Sequence, residues 1–157
     1  MPRKLSVVTE TPAQTIATAT LRVDTPGIGF IDITADARGF LAGSGGRDGV
    51  LLVFLRHTSA SLTIQENADP NFQTDLVTAL ERLVPESAAG RKIWLHHAEG
   101  PDDMPAHVKA MLNGVSLHVP VMDGALALGT WQGLYLVEHR RQPHAREAIF
   151  QFVGSKR

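Results

Sequence analysis

The chain has no cysteine, one tyrosine, two tryptophans and no long apolar run among its 157 residues. Without cysteine, disulfide bonds, thiolate zinc sites and cysteine nucleophiles are excluded. No stretch approaches the roughly 20 apolar residues of a membrane helix, and the N-terminal apolar run is too short and too polar for a signal peptide. We therefore expect a cytoplasmic protein that binds no membrane.

Neither sign of charge dominates, since 15 lysines and arginines face 16 acidic residues and the formal net charge is −1. This balance gives no global electrostatic basis for binding nucleic acid. Basic side chains do cluster locally, at Arg140, Arg141, His144 and Arg146. They could form a solvated loop or an anion site for a phosphate or diphosphate, and the sequence leaves both interpretations open.

Length and pattern predict one domain. A chain of 157 residues can bury a core without metal or disulfide support. We expect a single domain over residues 1–157, with its core between about 15 and 153. Short strands recur along the chain, with two to three helices inserted among them. This order is typical of an α+β fold with a curved, mainly antiparallel β-sheet.

Hydrophobic periodicity locates the individual elements. Asp69-Pro70 combines an N-cap acid with a proline at the first helical position, and the helix that it begins ends at Pro85. Asp123-Gly124 is a hairpin signal. Further helices are predicted over 35–42 and 104–112, and strands over 16–23, 50–54, 60–65, 93–97, 116–122, 125–128, 131–138 and 147–153.

The seven histidines are the first candidates for chemistry. His57 closes an apolar strand, where a side chain can be held rigidly at a cleft. His96 and His97 must point to opposite faces of the predicted strand, so at most one of them can join a shared site. The simplest interpretation of any single histidine is a surface or hydrogen-bonded residue.

A metal site is the alternative for the histidines as a set. Three imidazoles from separate elements, with Glu99, Asp102 or Asp103, could bind a divalent ion and leave a coordination position open. No pair of histidines has a strict local spacing such as His-x-x-x-His. The predicted ion is Mg²⁺ or Zn²⁺, and its predicted ligands are His57, His97 and His107.

Two further segments could contribute polar groups. Glu66 ends a predicted strand shortly after His57, and a carboxylate near an imidazole fixes its tautomer and can hold it protonated. Gly129–Gly133 offers hydroxyl, indole and amide groups between two glycines, so Trp131 could stack on a heteroaromatic ring. Spacing alone favours a hairpin or bulge with a core tryptophan there.

Three motifs carry a family resemblance. The segment His57–Pro70, HTSASLTIQENADP, resembles the signature of the YjbQ-like family. Ala106–Ala110 is similar to the second family motif, and Pro120–Val121 with Leu126–Gly133 is similar to the third. The motifs keep the family's order and spacing over nearly the whole chain. The chain departs from a frequent family pattern, Glu-Phe-Asp-Gly-Pro-Arg, at residues 138–144.

The resemblance implies a curved α+β fold that assembles as a homotrimer. It also implies a secondary thiamine-phosphate synthase activity, a transferase reaction that condenses a pyrimidine methyl diphosphate with a thiazole phosphate and releases diphosphate. For that reaction the predicted catalytic residues are His57, Glu66 and His107. The predicted substrate contacts are Ser59, Asn67, Lys109, Thr130, Trp131, Gln132, Arg140 and Arg141.

Two other classes of function stay open. The chain could be a trimeric protein that binds a small phosphorylated metabolite or a metal without this activity. It could also be a metal-dependent hydrolase of phosphorylated metabolites that uses the same histidines.

Overall fold

The structure is a computed structural model that describes residues 5–157. These residues form three helices and ten strands. In chain order the elements are β1 (Thr15–Thr25), β2 (Gly29–Asp32), α1 (Thr34–Ser44), β3 (Gly46–Leu55), β4 (Ala60–Glu66), α2 (Pro70–Leu83), β5 (Ser87–Ala88), β6 (Arg91–Lys92), α3 (Asp103–Asn113), β7 (Ser116–Met122), β8 (Ala125–Leu126), β9 (Gln132–Glu138) and β10 (His144–Lys156).

The strands build two main antiparallel sheets. One has five strands in the order β1-β10-β3-β7-β8, and the other has three in the order β2-β9-β4. Strands β5 and β6 form a separate short ribbon. The predicted α+β fold, with a curved antiparallel sheet and up to three helices, is confirmed.

A single hydrophobic cluster joins the inner faces of both sheets. In the second half of β3 every second residue is buried, at Leu51, Val53 and Leu55, as expected for a strand with one covered face. The same cluster contains Leu134 and Leu136 of β9. Helix α1 closes it with one apolar side, and the remaining members include Ala37, Leu41, Phe150 and Phe152.

Three segments meet beside the start of β4, and they position the polar residues. The loop after β3 contacts α3, because His107 Nδ1 lies 2.8 Å from the carbonyl oxygen of Thr58. The segment after β9 contacts the segment before α3, because Arg140 donates a 2.7 Å hydrogen bond to the carbonyl oxygen of Glu99. Residues far apart in sequence therefore share one small region.

Most predicted elements form, with shifted ends. Helix α2 begins at Pro70 as predicted, and the Asp69 carboxylate caps it by accepting a 2.9 Å hydrogen bond from Asn71 N. The predicted strand 93–97 is wrong: beyond the two residues of β6 this segment has no partner strand, and it is irregular. Strand β2 is not predicted from the sequence, because it has only four residues and begins at a glycine, Gly29.

Within the described residues 5–157, no helix has the length and apolarity needed to cross a membrane.

Candidate functional site

Three side chains with metal-binding groups converge at the start of α3. One ligand atom each from His96, Asp103 and His107 lies within 4.8 Å of the other two. Asp103 and His107 are four residues apart on the helix, so their side chains share one face. His96 reaches the same point from the irregular segment before α3.

The tautomer of His107 suits a metal ligand. Its Nδ1 faces the Thr58 carbonyl oxygen at 2.8 Å, and a carbonyl can only accept, so Nδ1 carries the proton. The lone pair of a neutral ring is then on Nε2, which lies 3.4 Å from Asp103 Oδ1. A backbone carbonyl that fixes the ring in this way is a common support for metal-binding histidines.

The carboxylate of Asp103 has one oxygen without a hydrogen bond. His96 Nε2 lies 2.9 Å from Asp103 Oδ2, but the two atoms are not aligned as donor and acceptor. Asp103 is 1% exposed, and within residues 5–157 no other group donates to this oxygen. A cation shared with His96 and His107 would satisfy it.

The chemistry of this ligand set favours a transition metal. Two imidazoles and one carboxylate are a common protein ligand set for zinc and non-haem iron, and they leave coordination positions open. Magnesium prefers an all-oxygen environment. The residues present therefore fit Zn²⁺ better than Mg²⁺.

Arg140 supports the cluster from the protein interior. Its side chain is 7% exposed, and its Nη1 donates a 2.5 Å hydrogen bond to Asp103 Oδ1. Its Nε donates to Asp102 at 3.3 Å, and Nη1 lies 3.5 Å from a carboxylate oxygen of Glu99. With these three acidic partners, the guanidinium orients Asp103 and is already occupied.

Arg141 is also engaged. Its guanidinium pairs with the carboxylate of Glu86, and its backbone N–H donates a 2.9 Å hydrogen bond to Asp102 Oδ2. Burial would raise the pKa of Asp102, but this hydrogen bond and the Arg140 charge outweigh it and lower the pKa. Arg140 is therefore not part of a solvated loop, and its guanidinium is fully engaged by Glu99, Asp102 and Asp103. The Arg141 side chain is 55% exposed.

Arg146 belongs to a second buried network. Its guanidinium contacts both carboxylate oxygens of Glu138, at 2.6 and 2.7 Å, and Glu138 is fully buried. It also donates a 3.1 Å hydrogen bond to Ser59 Oγ, and Thr25 donates to Glu138 at 2.8 Å. Burial would raise the pKa of Glu138, but the hydrogen bonds from Arg146, the Arg140 backbone and Thr25 lower it.

His139 and Lys109 are buried between the two networks. His139 Nε2 lies 2.9 Å from Ser61 Oγ, which accepts a 3.1 Å hydrogen bond from Asn113. Burial, with the nearby Lys109 charge, lowers the pKa of His139 to about 4. Burial also lowers the pKa of Lys109, which is 6% exposed.

His57 lies near the cluster but outside it. Its Nε2 accepts a 2.8 Å hydrogen bond from the backbone N–H of Glu147, so this nitrogen is occupied. Burial, and then the charge of Arg146, lowers its pKa. His57 and His107 line a common cavity of about 550 Å³. A second cavity of about 260 Å³ lies on the His96 side and is lined also by His97, Lys92 and Trp94.

The remaining predicted site residues lie at the other end of β4. Glu66 closes this strand, whereas His57 precedes its start, so the seven residues of β4 separate them by roughly 20 Å.

The turn before β9 lies beside Glu66 at this end of β4. Asn67 N donates a 3.1 Å hydrogen bond to the carbonyl oxygen of Trp131, and the Gln132 side chain accepts one from Gly129 N at 2.8 Å. Thr130 is exposed in the same turn. Trp131 is 65% exposed, so it is not the core residue that spacing favoured.

The predicted set thus divides in two within one chain. His57, Ser59, His107, Lys109, Arg140 and Arg141 lie near α3, and Glu66, Asn67, Thr130, Trp131 and Gln132 lie at the far end of β4. The cluster contains His96 and not His97, whose Nδ1 lies 2.8 Å from the carbonyl oxygen of Leu95. Asp103 could have been singled out by its four-residue spacing from His107.

Comparison with known proteins agrees on one family. The sequence model of the UPF0047 protein YjbQ-like family matches residues 19–155. A UPF0047 protein of Synechocystis is 53% identical over 111 residues, which are 71% of this chain and 74% of that protein. YjbQ of Salmonella typhimurium is 46% identical over 106 residues, 68% of this chain and 74% of that protein.

Solved structures agree as well. A YbjQ-like protein of unknown function from Sulfolobus solfataricus superposes with a TM-score of 0.81 at 25% identity, covering 90% of this chain and 99% of that one. A YjbQ/UPF0047 protein from Clostridium acetobutylicum gives a TM-score of 0.76 at 35% identity, covering 85% and 98%. The chain is therefore a member of the YjbQ-like UPF0047 family.

Proposed function

We propose that the chain is a zinc-dependent enzyme that acts on small phosphorylated metabolites and catalyses the secondary thiamine-phosphate synthase condensation. The observation that carries this proposal is the convergence of His96, Asp103 and His107 within 4.8 Å. These three residues would hold the ion and leave coordination positions for a substrate. When bound, the ion supplies positive charge that favours the departure of diphosphate.

The cavities beside the cluster support a reaction of two substrates. His107 lines the larger cavity and His96 the smaller one, so each cavity touches a residue of the cluster. A condensation needs both reactants held side by side in a fixed orientation. We assign one reactant to each cavity.

The protein's own charges act mainly by positioning. Arg140 holds Asp103 in place through its 2.5 Å hydrogen bond, and we therefore propose it as a positioning residue instead of a substrate contact. The Arg141 side chain pairs with Glu86 and contacts none of the three cluster residues. The phosphate groups of the substrates would be recognised chiefly at the metal.

A homotrimer would give the far end of β4 a role. Glu66 and the Asn67–Gln132 contacts lie too far from His57 to act on the same molecule within one chain. We propose that a neighbouring subunit brings its copy of this end toward the cluster. Light scattering of the purified protein tests the trimer, and a monomer would contradict this assignment.

The reaction is tested with the purified protein, Zn²⁺ and Mg²⁺, the pyrimidine methyl diphosphate and the thiazole phosphate. We expect thiamine phosphate from the wild type, and a loss of about tenfold or more in Asp103→Asn because a metal ligand is removed. His118→Gln is the control, since His118 is an exposed histidine of β7 that belongs to neither the cluster nor the two cavities. Absence of product from the wild type would overturn the proposal.

A metal-dependent phosphate hydrolase is the second candidate. The ligand set favours it too, because a metal with three protein ligands and an open position can activate water. Hydrolysis needs one substrate only. Release of inorganic phosphate from a pyrimidine methyl phosphate alone, lost in Asp103→Asn, would support the hydrolase over the synthase.

A further inference from the structure

The larger cavity beside the cluster is lined mostly by apolar residues, and its polar lining residues are Arg56, His57, Thr58 and His107. Its volume of about 550 Å³ is in the range of small-molecule sites. The loop after β3 supplies His57, and α3 supplies His107. The apolar walls come from both elements and include Phe54, Leu55, Ala110, Met111 and Val115.

His57 presents a donor to this cavity. Its Nε2 accepts the 2.8 Å hydrogen bond from the Glu147 backbone N–H, and a backbone N–H can only donate. The proton of the neutral ring is therefore on Nδ1. Within residues 5–157 no acceptor is hydrogen-bonded to that nitrogen. His57 can thus donate to a ligand, but its occupied nitrogen can neither take a proton nor bind a metal.

The two histidines of the cavity differ in what they offer. His107 has its Nε2 lone pair at the metal cluster, 3.4 Å from Asp103 Oδ1, while its Nδ1 is tied to Thr58. A molecule in the cavity could therefore accept a hydrogen bond from His57 Nδ1–H, and it would contact His107, the one residue that the cavity shares with the cluster.

We propose that this cavity binds the ring portion of the substrate, a planar heteroaromatic ring with an acceptor atom against His57 Nδ1–H and a phosphate directed toward the metal cluster. This inference rests on the proposed function, because the metal holds the phosphate. It assigns His57 as a substrate-binding residue instead of a base or metal ligand.

Binding of three probes to the Zn²⁺-loaded wild type, measured by calorimetry, separates the contributions of the phosphate, the ring and the ring acceptor to affinity. Methyl phosphate reports the metal–anion contact alone, benzyl phosphate adds the ring, and pyridin-3-ylmethyl phosphate adds a ring acceptor. We expect benzyl phosphate to bind about tenfold more tightly than methyl phosphate because the ring is buried. The pyridine probe should gain about threefold to tenfold more through the hydrogen bond.

Variants locate the two effects. Met111→Lys places a charge at an exposed wall residue and should lower the ratio of benzyl to methyl phosphate affinity severalfold. Leu112→Lys is the matched control, since Leu112 is the next residue of α3, is also exposed and does not line the cavity. His57→Phe should erase the preference for the pyridine probe and keep the benzyl preference.

The outcomes separate this inference from the proposed function. Failure of Zn²⁺ alone to bind the wild type would overturn the proposed function and this inference with it. Binding of Zn²⁺ and of all three probes with equal affinity would overturn this inference only. Binding of Zn²⁺ but of none of the probes would overturn this inference and also the recognition of phosphate at the metal. A change of oligomeric mass in Met111→Lys, without a ring preference in the wild type, would show that a second copy of the chain covers the cavity and would also overturn it.

Discussion

Asp103 Oδ2 lies 2.9 Å from His96 Nε2, yet the two atoms are not aligned for a hydrogen bond. With its Nε2 unprotonated, His96 would be placed with Asp103 to bind one cation. The opposite carboxylate oxygen receives the buried Arg140, which fixes the orientation of Asp103. The site thus combines a rigid interior support with an accessible histidine.

Replacement of Arg140 tests that support. Arg140→Met would leave the carboxylates of Asp102 and Asp103 without their buried partner, and we expect the free energy of unfolding to fall by about 3–5 kcal/mol. Urea denaturation measures this loss. Arg141→Met is the matched control: its side chain is 55% exposed, so its pair with Glu86 should contribute about 1 kcal/mol or less. Equal losses in the two variants would refute the supporting role.

The buried pair of Glu138 and Arg146 gives a second stability prediction. Arg146→Met leaves a fully buried carboxylate uncompensated, and we expect a loss of about 3–5 kcal/mol in chemical denaturation. The double replacement with Glu138→Met removes both charges and should recover much of that loss. A double variant that is less stable than Arg146→Met would contradict this prediction.

His139 makes stability depend on pH. Its pKa is about 4 in the folded chain, against an ordinary value of 6.5. As the pH falls, the His139 side chain of the unfolded chain therefore takes up a proton before that of the folded chain. The free energy of unfolding should decrease by about 3 kcal/mol between pH 6.5 and 4. His139→Gln lacks this titration. Urea denaturation between pH 6.5 and 4 should show that the free energy of unfolding falls more steeply with pH in the wild type than in His139→Gln. Parallel pH curves for the two proteins would rule out the buried neutral histidine.

Local signals predicted the helices well. The Asp69 cap forms a hydrogen bond with a residue two positions away, and Asp103 and His107 lie four residues apart on one helix. Both features can be predicted from neighbouring residues. Strands with alternating burial can also be predicted from local sequence. The fold class followed from the order of these elements.

Long-range contacts account for what the sequence did not predict. Arg140 meets Asp102 and Asp103 across 38 and 37 residues, and no local pattern indicates that pairing. The preference for His96 over His97 depends on an irregular segment whose course is set by contacts such as Trp94 Nε1 with the Pro85 carbonyl oxygen, at 2.9 Å. Glu66 lay close to His57 in sequence, but the strand between them carries it away.

Zinc titration calorimetry tests most directly whether His96, Asp103 and His107 hold one divalent transition-metal ion. We predict one Zn²⁺ bound per chain, affinity weakened by about tenfold or more in His96→Ala and Asp103→Asn, and wild-type affinity in His97→Ala. Mg²⁺ should bind much more weakly than Zn²⁺. Unchanged Zn²⁺ affinity in Asp103→Asn, or a loss in His97→Ala equal to that in His96→Ala, would contradict the claim.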